Sequence, residues 1–421
     1  MIQLIRGFKD ILPEEAARWQ KVERAAIGLF EDLGFKEIRI PVMERTELFA
    51  RSIGEGTDIV EKEMYTFPDR KGELITLRPE ATASVARSYI QHKLYAAEPV
   101  RKFYTIGPMF RRERPQKGRY RQFYQINAEV FGVASPLMDA QLIYMLTTLL
   151  DRLNVEDAKA HMNSLGCPDC RPRFKAALLA HTADVADKLC ADCKRRREAN
   201  PLRLLDCKVP ECRIAVADAP SLGDFLCEAC TGHFDAVRDG LGRLGVEYQV
   251  DKRLVRGLDY YTRTTFEIQT GRLGAQSAVA GGGRYDGLVS ALGGPPTPAV
   301  GFAIGFDRLV EILFQAGEGS QEQSPDIFVA PLGETSQQAA LIWASDLCSG
   351  GVSTELDLSG RSLKSLMKRA DRIGARYVMI VGGAELEEEE VVLRNMATKE
   401  QTKVPLDGMT ARVKEIVKGD Q

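Results

Sequence analysis

Between positions 101 and 121 the chain carries eight basic residues, Arg101, Lys102, Arg111, Arg112, Arg114, Lys117, Arg119 and Arg121, against the single acid Glu113, a local charge of +7. Runs rich in β-formers at 74–77, 103–106 and 123–131 flank this loop, and Pro115 and Gly118 inside it are turn residues. The pattern predicts a large antiparallel hairpin with a cationic tip. Its guanidinium groups match phosphate oxygens, and the interleaved Phe110, Tyr120 and Phe123 offer ring faces to a base. The whole chain holds 57 basic and 59 acidic residues, a net −2 that by itself argues against a polyanionic partner. The distribution argues the other way. A second basic stretch at 361–376 reads as a helix of charge +5, with Leu363, Leu366, Met367, Ala370 and Ile373 as its apolar stripe and Arg361, Lys364, Lys368, Arg372 and Arg376 on another face. Acids elsewhere, including Glu385 and the run 387–390, restore the balance.

At roughly 150 residues per domain, 421 residues allow two to four domains. A helix opens at Pro13, with Trp19, Val22, Ala26, Leu29 and Leu33 at three- and four-residue spacing until Gly34 closes it; 37–41 reads as a short strand ending in Pro41. Residues 166–240 change character, with CxxC pairs and helical patterns, before β patterning resumes at 248–254 and 264–269, so this stretch reads as an insertion. No βαβ beat or internal repeat runs through the first 320 residues, which predicts an α+β body over 1–320. Linker composition at 316–325 leads to a small α/β domain over 325–421. The uncharged stretch 287–306 contains Pro295, Pro296 and Pro298, which break a helix, so no membrane span is expected. The first ten residues carry charges at Arg6, Lys9 and Asp10 and lack the pattern of a secretory signal, so a cytoplasmic location is expected.

No GxxxxGK[ST] loop is present, and the glycine run 281–283 lacks dinucleotide spacing. His92, His161, His181 and His233 form no HExxH and no nucleophile triad, so hydrolytic zinc chemistry has little to work with. Eight of nine cysteines fall between 167 and 230. Cys167, Cys170, Cys190 and Cys193 have the spacing of a four-thiolate zinc site, and Cys207, Cys212, Cys227 and Cys230 could complete a second. The alternative is a module packed with reduced thiols.

The run Phe110-Arg111-Arg112-Glu113, followed by Arg119 and Phe123, resembles motif 2 of the class II aminoacyl-tRNA synthetases. The run 301–308, ending in Arg308, is similar to their motif 3, and 34–41 to the dimer-forming motif 1. Two further strings, Leu254-Val-Arg256-Gly-Leu-Asp-Tyr260-Tyr261 and Gly281-Gly-Gly-Arg284-Tyr285-Asp286, resemble the histidine-specific branch of that family, and the likeness runs essentially the whole length. Motif 3 departs by Ala303, where many members repeat glycine, and by Asp307, where Glu is commoner; both changes are chemically mild.

This resemblance implies a class II antiparallel-sheet core with a Cys-rich helical insertion and a C-terminal α/β anticodon-binding domain, working as a homodimer. It implies activation of histidine by ATP, with Mg²⁺, and transfer to the histidine tRNA. Activation joins a carboxylate to the α-phosphorus of ATP, so two anions must be held together. By family, Arg111 and Arg256 serve the α-phosphate and carboxylate, Arg119 the phosphates and Arg308 the γ-phosphate. Phe123 and Arg308 would sandwich adenine, with Glu113 accepting from its amino group. Glu129 and Tyr261 would read the imidazole, Tyr285 would close the pocket with Tyr260 beside it, and Glu80, Ala81, Thr82 and Gln125 would hold the α-amino end. Arg114, Gln116 and Lys117 would reach the acceptor end of the tRNA. The rivals are a regulatory paralogue, expected to lack the C-terminal domain and some of these arginines, and a synthetase for another amino acid.

Overall fold

An eight-stranded sheet organises the first of two compact units, Met1–Gly319 and Ser320–Gln421, in a computed structural model that describes residues 1–116, 118–271, 278–315 and 324–419. Across the sheet the strands run Lys36–Glu37, Arg101–Phe110, Gln122–Phe131, Ala299–Gly305, Ala278–Arg284, Thr262–Gln269, Lys159–Ser164 and Tyr248–Val250. Its interior is antiparallel, and both edge strands join in parallel. Because side chains alternate along a strand, one face takes Ile126, Ala128, Val130, Phe302 and Ile304 into an apolar core. Helices Pro13–Asp32, Pro136–Arg152, Glu228–Arg243 and Phe306–Gln315 cover that face. The first begins at a proline with Glu14 and Glu15 in its first turn, where the helix dipole favours acids. It buries Trp19, Val22, Ala26, Leu29 and Phe30, each large side chain worth about 1.5–3 kcal/mol, and gives way at Gly34, whose φ of +80° suits glycine.

The arginine-flanked hairpin forms as the sequence predicts, in register from Arg101 opposite Phe131 to Phe110 opposite Gln122. Leu74–Leu77 is not part of it. That strand lies between Met43–Arg45 and Tyr65–Pro68 in a separate three-stranded sheet. The expected strands at 37–41 and 248–254 shrink to Lys36–Glu37 and Tyr248–Val250, edge strands with one partner each. Buried Arg78 ties the pieces together, donating to the carbonyls of Ile40 (2.7 Å) and Pro108 (2.9 Å). Among the described residues no helix is long and apolar enough to cross a membrane.

The Cys-rich segment has a small core of its own, built on Phe174, Leu178, Leu204 and Leu222. Its last helix, Glu228–Arg243, returns Val237 and Leu241 to the main core. The cysteine grouping differs from the one the spacing predicts. Cys167 and Cys170 meet Cys227 and Cys230, while Cys190 and Cys193 meet Cys207 and Cys212. The cause is the sheet. The insertion leaves after strand Lys159–Ser164 and rejoins before Tyr248–Val250, its parallel neighbour, so its two ends must come together and the first and last CxxC pairs with them. Sequence distance gave no weight to that closure.

The second unit carries a mixed sheet in the order Thr354–Leu356, Ile327–Pro331, Tyr377–Val381, Glu390–Asn395, Gln401–Pro405, parallel over the first three strands and antiparallel beyond. Its basic helix is Leu363–Arg372, shorter than 361–376 and of charge +3 rather than +5. Arg369 turns inward to Glu355 and Asp357, and Arg376 pairs with Asp326 at 2.9 Å, so the solvent face holds Lys364, Lys368 and Arg372. The linker composition at 316–325 falls almost wholly outside the described residues.

Candidate active site

On the sheet face away from the helices, period-two alternation presents Phe123, Gln125, Asn127 and Glu129 from strand Gln122–Phe131. Register extends two rows across the sheet, Glu129 to Gly301, Gly283 and Thr265, and Asn127 to Ala303, Gly281 and Glu267. The glycines make the floor. A Cβ at Gly301 would stand on the Glu129 carboxylate, and one at Gly281 on the Arg256 guanidinium. Above this floor opens a cleft of about 280 Å³ lined by Glu80, Thr82, Arg111, Arg256, Tyr260 and Arg308, among others.

One end of the cleft is a buried polar cluster. Glu80 accepts from the backbone N–H groups of Thr82 (2.7 Å) and Ala83 (2.8 Å), satisfying donors that the start of helix Thr82–Gln91 leaves open. Ala81 between them packs into an apolar cluster with Val85. Thr82 Oγ1 donates to one oxygen of Glu129 (2.6 Å), and the Tyr285 hydroxyl donates to the other. Glu129 is 1% exposed, and burial pushes its carboxyl up to about 8. Burial also holds the Tyr260 and Tyr285 phenols well above their ordinary value and moves Tyr261 to about 12, so all three are neutral donors. The Tyr260 ring lies tilted against Tyr261 at 4.7 Å and edge-to-face with Tyr285 at 5.6 Å, centroid to centroid. Gln125 lines the cleft, and its side-chain oxygen is buried with no hydrogen-bond partner among the described residues, an acceptor left to be satisfied.

The other end is cationic. Arg111 donates through Nε to the Pro79 carbonyl (2.9 Å) and lies over the Phe123 ring at 5.2 Å. Arg308 donates to the carbonyl of Ala278 (2.8 Å). Arg256 pairs with Glu267 and sits 6.0 Å over the Tyr261 ring, and Arg119 pairs with Glu113. Burial and the neighbouring arginines Arg119 and Arg111 push Arg308 below its ordinary value, and Arg111 is lowered chiefly by burial. Four buried or half-buried guanidinium groups thus face this end of the cavity, two of them held by Glu113 and Glu267, and an incoming phosphate or carboxylate can compete for the same N–H donors. Asp307 accepts from the Tyr124 N–H (2.7 Å), and burial raises it to about 6; its place is structural, fixing the helix that carries Arg308.

The expected residues thus converge from five separate stretches of sequence, most of them lining the cleft, with Ala81, Glu129 and Tyr285 buried behind its polar end. Arg114 and Gln116 are exposed on the turn at Gly118, and Lys117 lies outside the described residues. Arg284 is no part of the cleft. Fully buried, it holds Asp139, the Val133 carbonyl (2.9 Å) and the Ser135 carbonyl (3.1 Å). Sequence reasoning passed over Glu267 and Asn127, although alternation along their strands puts them on the cleft face beside Thr265 and Glu129.

Residues 7–309 match the family described as histidyl-tRNA synthetase, and residues 326–416 match the family described as anticodon binding domain. The histidine–tRNA ligase of Desulforapulum autotrophicum is 60% identical over 417 residues, 99% of this chain and 98% of that one. That of Geobacter sulfurreducens is 54% identical over 96% of this chain and 98% of that one. Among solved structures, apo histidyl-tRNA synthetase from S. aureus superposes with a TM-score of 0.83 at 35% identity, covering 98% of this chain and 100% of that one.

Proposed function

Because the chain belongs to the histidyl-tRNA synthetase family, we propose that its cleft divides the work of that reaction between the buried polar cluster and the arginine set. The reaction is ATP-dependent: histidine is activated to histidyl-adenylate with release of pyrophosphate, then transferred to the 3′-terminal adenosine of its tRNA. The observation that carries the residue assignment is Glu129, a buried carboxyl whose two oxygens are engaged by Thr82 and Tyr285 beside Tyr260 and Tyr261. An imidazole offers one N–H donor and one acceptor when neutral, and this cluster offers a carboxyl oxygen and phenol hydroxyls to meet them. Glu80 and the open Gln125 oxygen take the α-ammonium group. Arg111 and Arg256 take the amino acid carboxylate and the α-phosphate, so that attack on phosphorus proceeds between groups already neutralised. Arg119 and Arg308 hold the outer phosphates. Adenine lies between Phe123 and Arg308, with Glu113 accepting from its amino group; this requires Glu113 to share or release Arg119, and the phosphates give that arginine a new anion.

Glu267 also lines the cleft and would supply a hard oxygen ligand of the kind that Mg²⁺ on the phosphates prefers. Such an ion would supply charge neutralisation on the leaving pyrophosphate. For the two cysteine quartets the reading is one structural zinc ion each. Division of labour follows the two units, catalysis in 1–320 and anticodon contact in 325–421, with Arg114, Gln116 and Lys117 toward the acceptor end. A homodimer is supported by the edge strand Lys36–Glu37 and the exposed Val42 and Met43 that follow it. The place of work is the cytoplasm, where free tRNA is found. Retention of Arg111, Arg256 and Arg308 in one cleft disfavours a non-catalytic regulatory subunit. The test is histidine-dependent ATP–pyrophosphate exchange. Arg256→Ala is expected to lower it by about 10²–10³-fold while the thermal unfolding transition remains cooperative, and near-normal exchange would refute the role.

A further inference from the structure

The segment from Arg256 to Tyr261 brings Arg256, Tyr260 and Tyr261 to the cleft on one side, and on the other it is held by the Cys-rich insertion. Arg171 donates to the Tyr261 carbonyl, Asn200 Nδ2 to Asp259 Oδ1 (2.8 Å), and Arg203 Nη1 to the Arg256 carbonyl (3.3 Å). Arg196 and Arg203 also share Asp58 of the body, at 2.5 and 3.4 Å. Each of these holding residues lies beside a cysteine quartet. Arg171 follows Cys170 at the start of helix Cys170–His181, and Arg196 lies one turn past Cys193 in helix Ala191–Ala199. Asn200 and Arg203 sit between that helix and Cys207. A second cavity of about 130 Å³ lies along this seam, lined by Arg171, Asn200, Arg203, Arg256, Asp259 and Tyr261, among others, so side-chain packing alone does not fill it.

The sulfur geometry suits a metal ion. Tetrahedral Zn²⁺ with bonds of about 2.3 Å sets its sulfurs about 3.8 Å apart, and Cys167 Sγ lies 3.6 Å from Cys170 Sγ and 3.9 Å from Cys227 Sγ. A disulfide needs about 2.05 Å. Within each quartet every pair of sulfurs lies within 4.8 Å. Backbone N–H groups point at sulfur, Cys227 N to Cys170 (3.1 Å) and Cys190 N to Cys212 (3.1 Å), which favours the thiolate that a metal binds. Cys170, Cys190 and Cys227 also stand at the N-terminal ends of helices of eight or more residues, whose dipoles favour negative charge. Five of the eight cysteines are buried.

We propose that the two tetrathiolate zinc sites act as struts for the amino-acid-reading segment: the outer quartet closes the neck of the insertion and fixes Arg171, and the inner quartet fixes Arg196, Asn200 and Arg203, so that the ions set the position of Arg256, Tyr260 and Tyr261. The proposal rests on the zinc reading of the quartets, and Arg171, Asn200 and Arg203 are positioning residues that touch no substrate. Histidine binding feels the strut more than ATP binding, because the held segment supplies two tyrosines to the polar cluster, whereas Arg111, Arg119 and Arg308 come from elements outside its reach.

Three measurements on the full-length enzyme separate the parts. Elemental analysis of the purified protein is expected to give two zinc ions per chain, and a thiol reagent under native conditions to label the exposed Cys348 rapidly and the quartets only after a mercurial has released zinc. Metal-free protein with eight further thiols that react freely would overturn the zinc reading itself. Cys212→Ser is expected to retain one zinc, to raise the histidine KM in pyrophosphate exchange about tenfold, the scale of a lost charge-assisted hydrogen bond, and, because the same segment carries Arg256, to lower the rate at saturating histidine, with the ATP KM changed far less. Should that variant fail to fold, Asn200→Ala combined with Arg203→Met leaves the sulfurs untouched. It is expected to keep both zinc ions and reproduce the rise in histidine KM. Two zinc ions with an unchanged histidine KM in that double variant would overturn the strut while the metal sites stand.

Discussion

Replacing Glu129 by Gln tests the polar cluster through two independent readouts. The shape is conserved, and an amide can still accept from Thr82 Oγ1 and meet the Tyr285 hydroxyl, so packing is not the perturbation. What changes is charge. In the free enzyme burial holds the Glu129 carboxyl at about 8, against its ordinary 4.5. A raised acid binds its proton more tightly folded than unfolded, so its contribution to stability is fully present below 4.5 and is lost as pH rises through 8. Over the 3.5 pH units between these values, at about 1.4 kcal/mol per unit, the loss has a ceiling of about 5 kcal/mol. Glutamine carries no such penalty. The variant is therefore expected to gain on the wild type as pH rises from 5 to 8.5, read as the difference in denaturant midpoint at constant slope. Catalysis moves the opposite way. A bound imidazole donating to a carboxylate loses a charge-assisted bond worth about 1.5–3 kcal/mol, so kcat/KM for histidine is expected to fall about 10–150-fold, with the ATP KM little changed. A stability difference flat across pH would show that Glu129 is not strained by burial, and histidine kinetics within threefold of wild type would show that it does not contact the substrate.

Gly301→Ala is expected to abolish histidine-dependent exchange, because the added methyl would displace the Glu129 carboxylate against the floor of the cleft; an active variant with an intact melting profile would contradict the geometry. Arg284→Met is expected to lower stability by about 3–5 kcal/mol, since it strands the buried Asp139, and chemical denaturation measures it. Rescue by the paired Asp139→Leu would locate the cost in the orphaned charge. Lys364→Glu with Lys368→Glu, on the exposed face of the C-terminal helix, is expected to leave pyrophosphate exchange intact and raise the tRNA KM in aminoacylation, more at low salt than at high. An aminoacylation rate indifferent to both charges would remove that face from the tRNA contact.

Sequence alone was sufficient where the chemistry is periodic or local. Alternation in 123–131 sets Glu129 and Gln125 on one face of a strand, heptad-like spacing from Trp19 to Leu29 fixes a helix and its buried side, and the density of arginine between 101 and 121 marks an anion site. Each of these follows from residues a few positions apart, whose geometry the backbone dictates. The string Gly281-Gly-Gly-Arg284-Tyr285-Asp286 was legible as a unit but not in its parts: Gly281 and Tyr285 serve the cleft, while Arg284 turns away to bury itself on Asp139. Nothing in the spacing separates those fates.

Tertiary structure decided what depends on closure and on competition for partners. Pairing of the cysteines followed the two ends of the insertion, brought together by the parallel strands Lys159–Ser164 and Tyr248–Val250, rather than the shortest sequence distance. The basic helix of the second unit lost Arg369 and Arg376 to acids contributed by neighbouring segments, which no count of charges along 361–376 could anticipate. Glu267 acquired its meaning from Arg256, eleven residues away in sequence and paired with it over the cleft floor. Local patterns specify which residues can do the chemistry, because they depend on covalent geometry. Which partner each buried charge and thiol takes depends on where the chain must return, and only the closed fold fixes that.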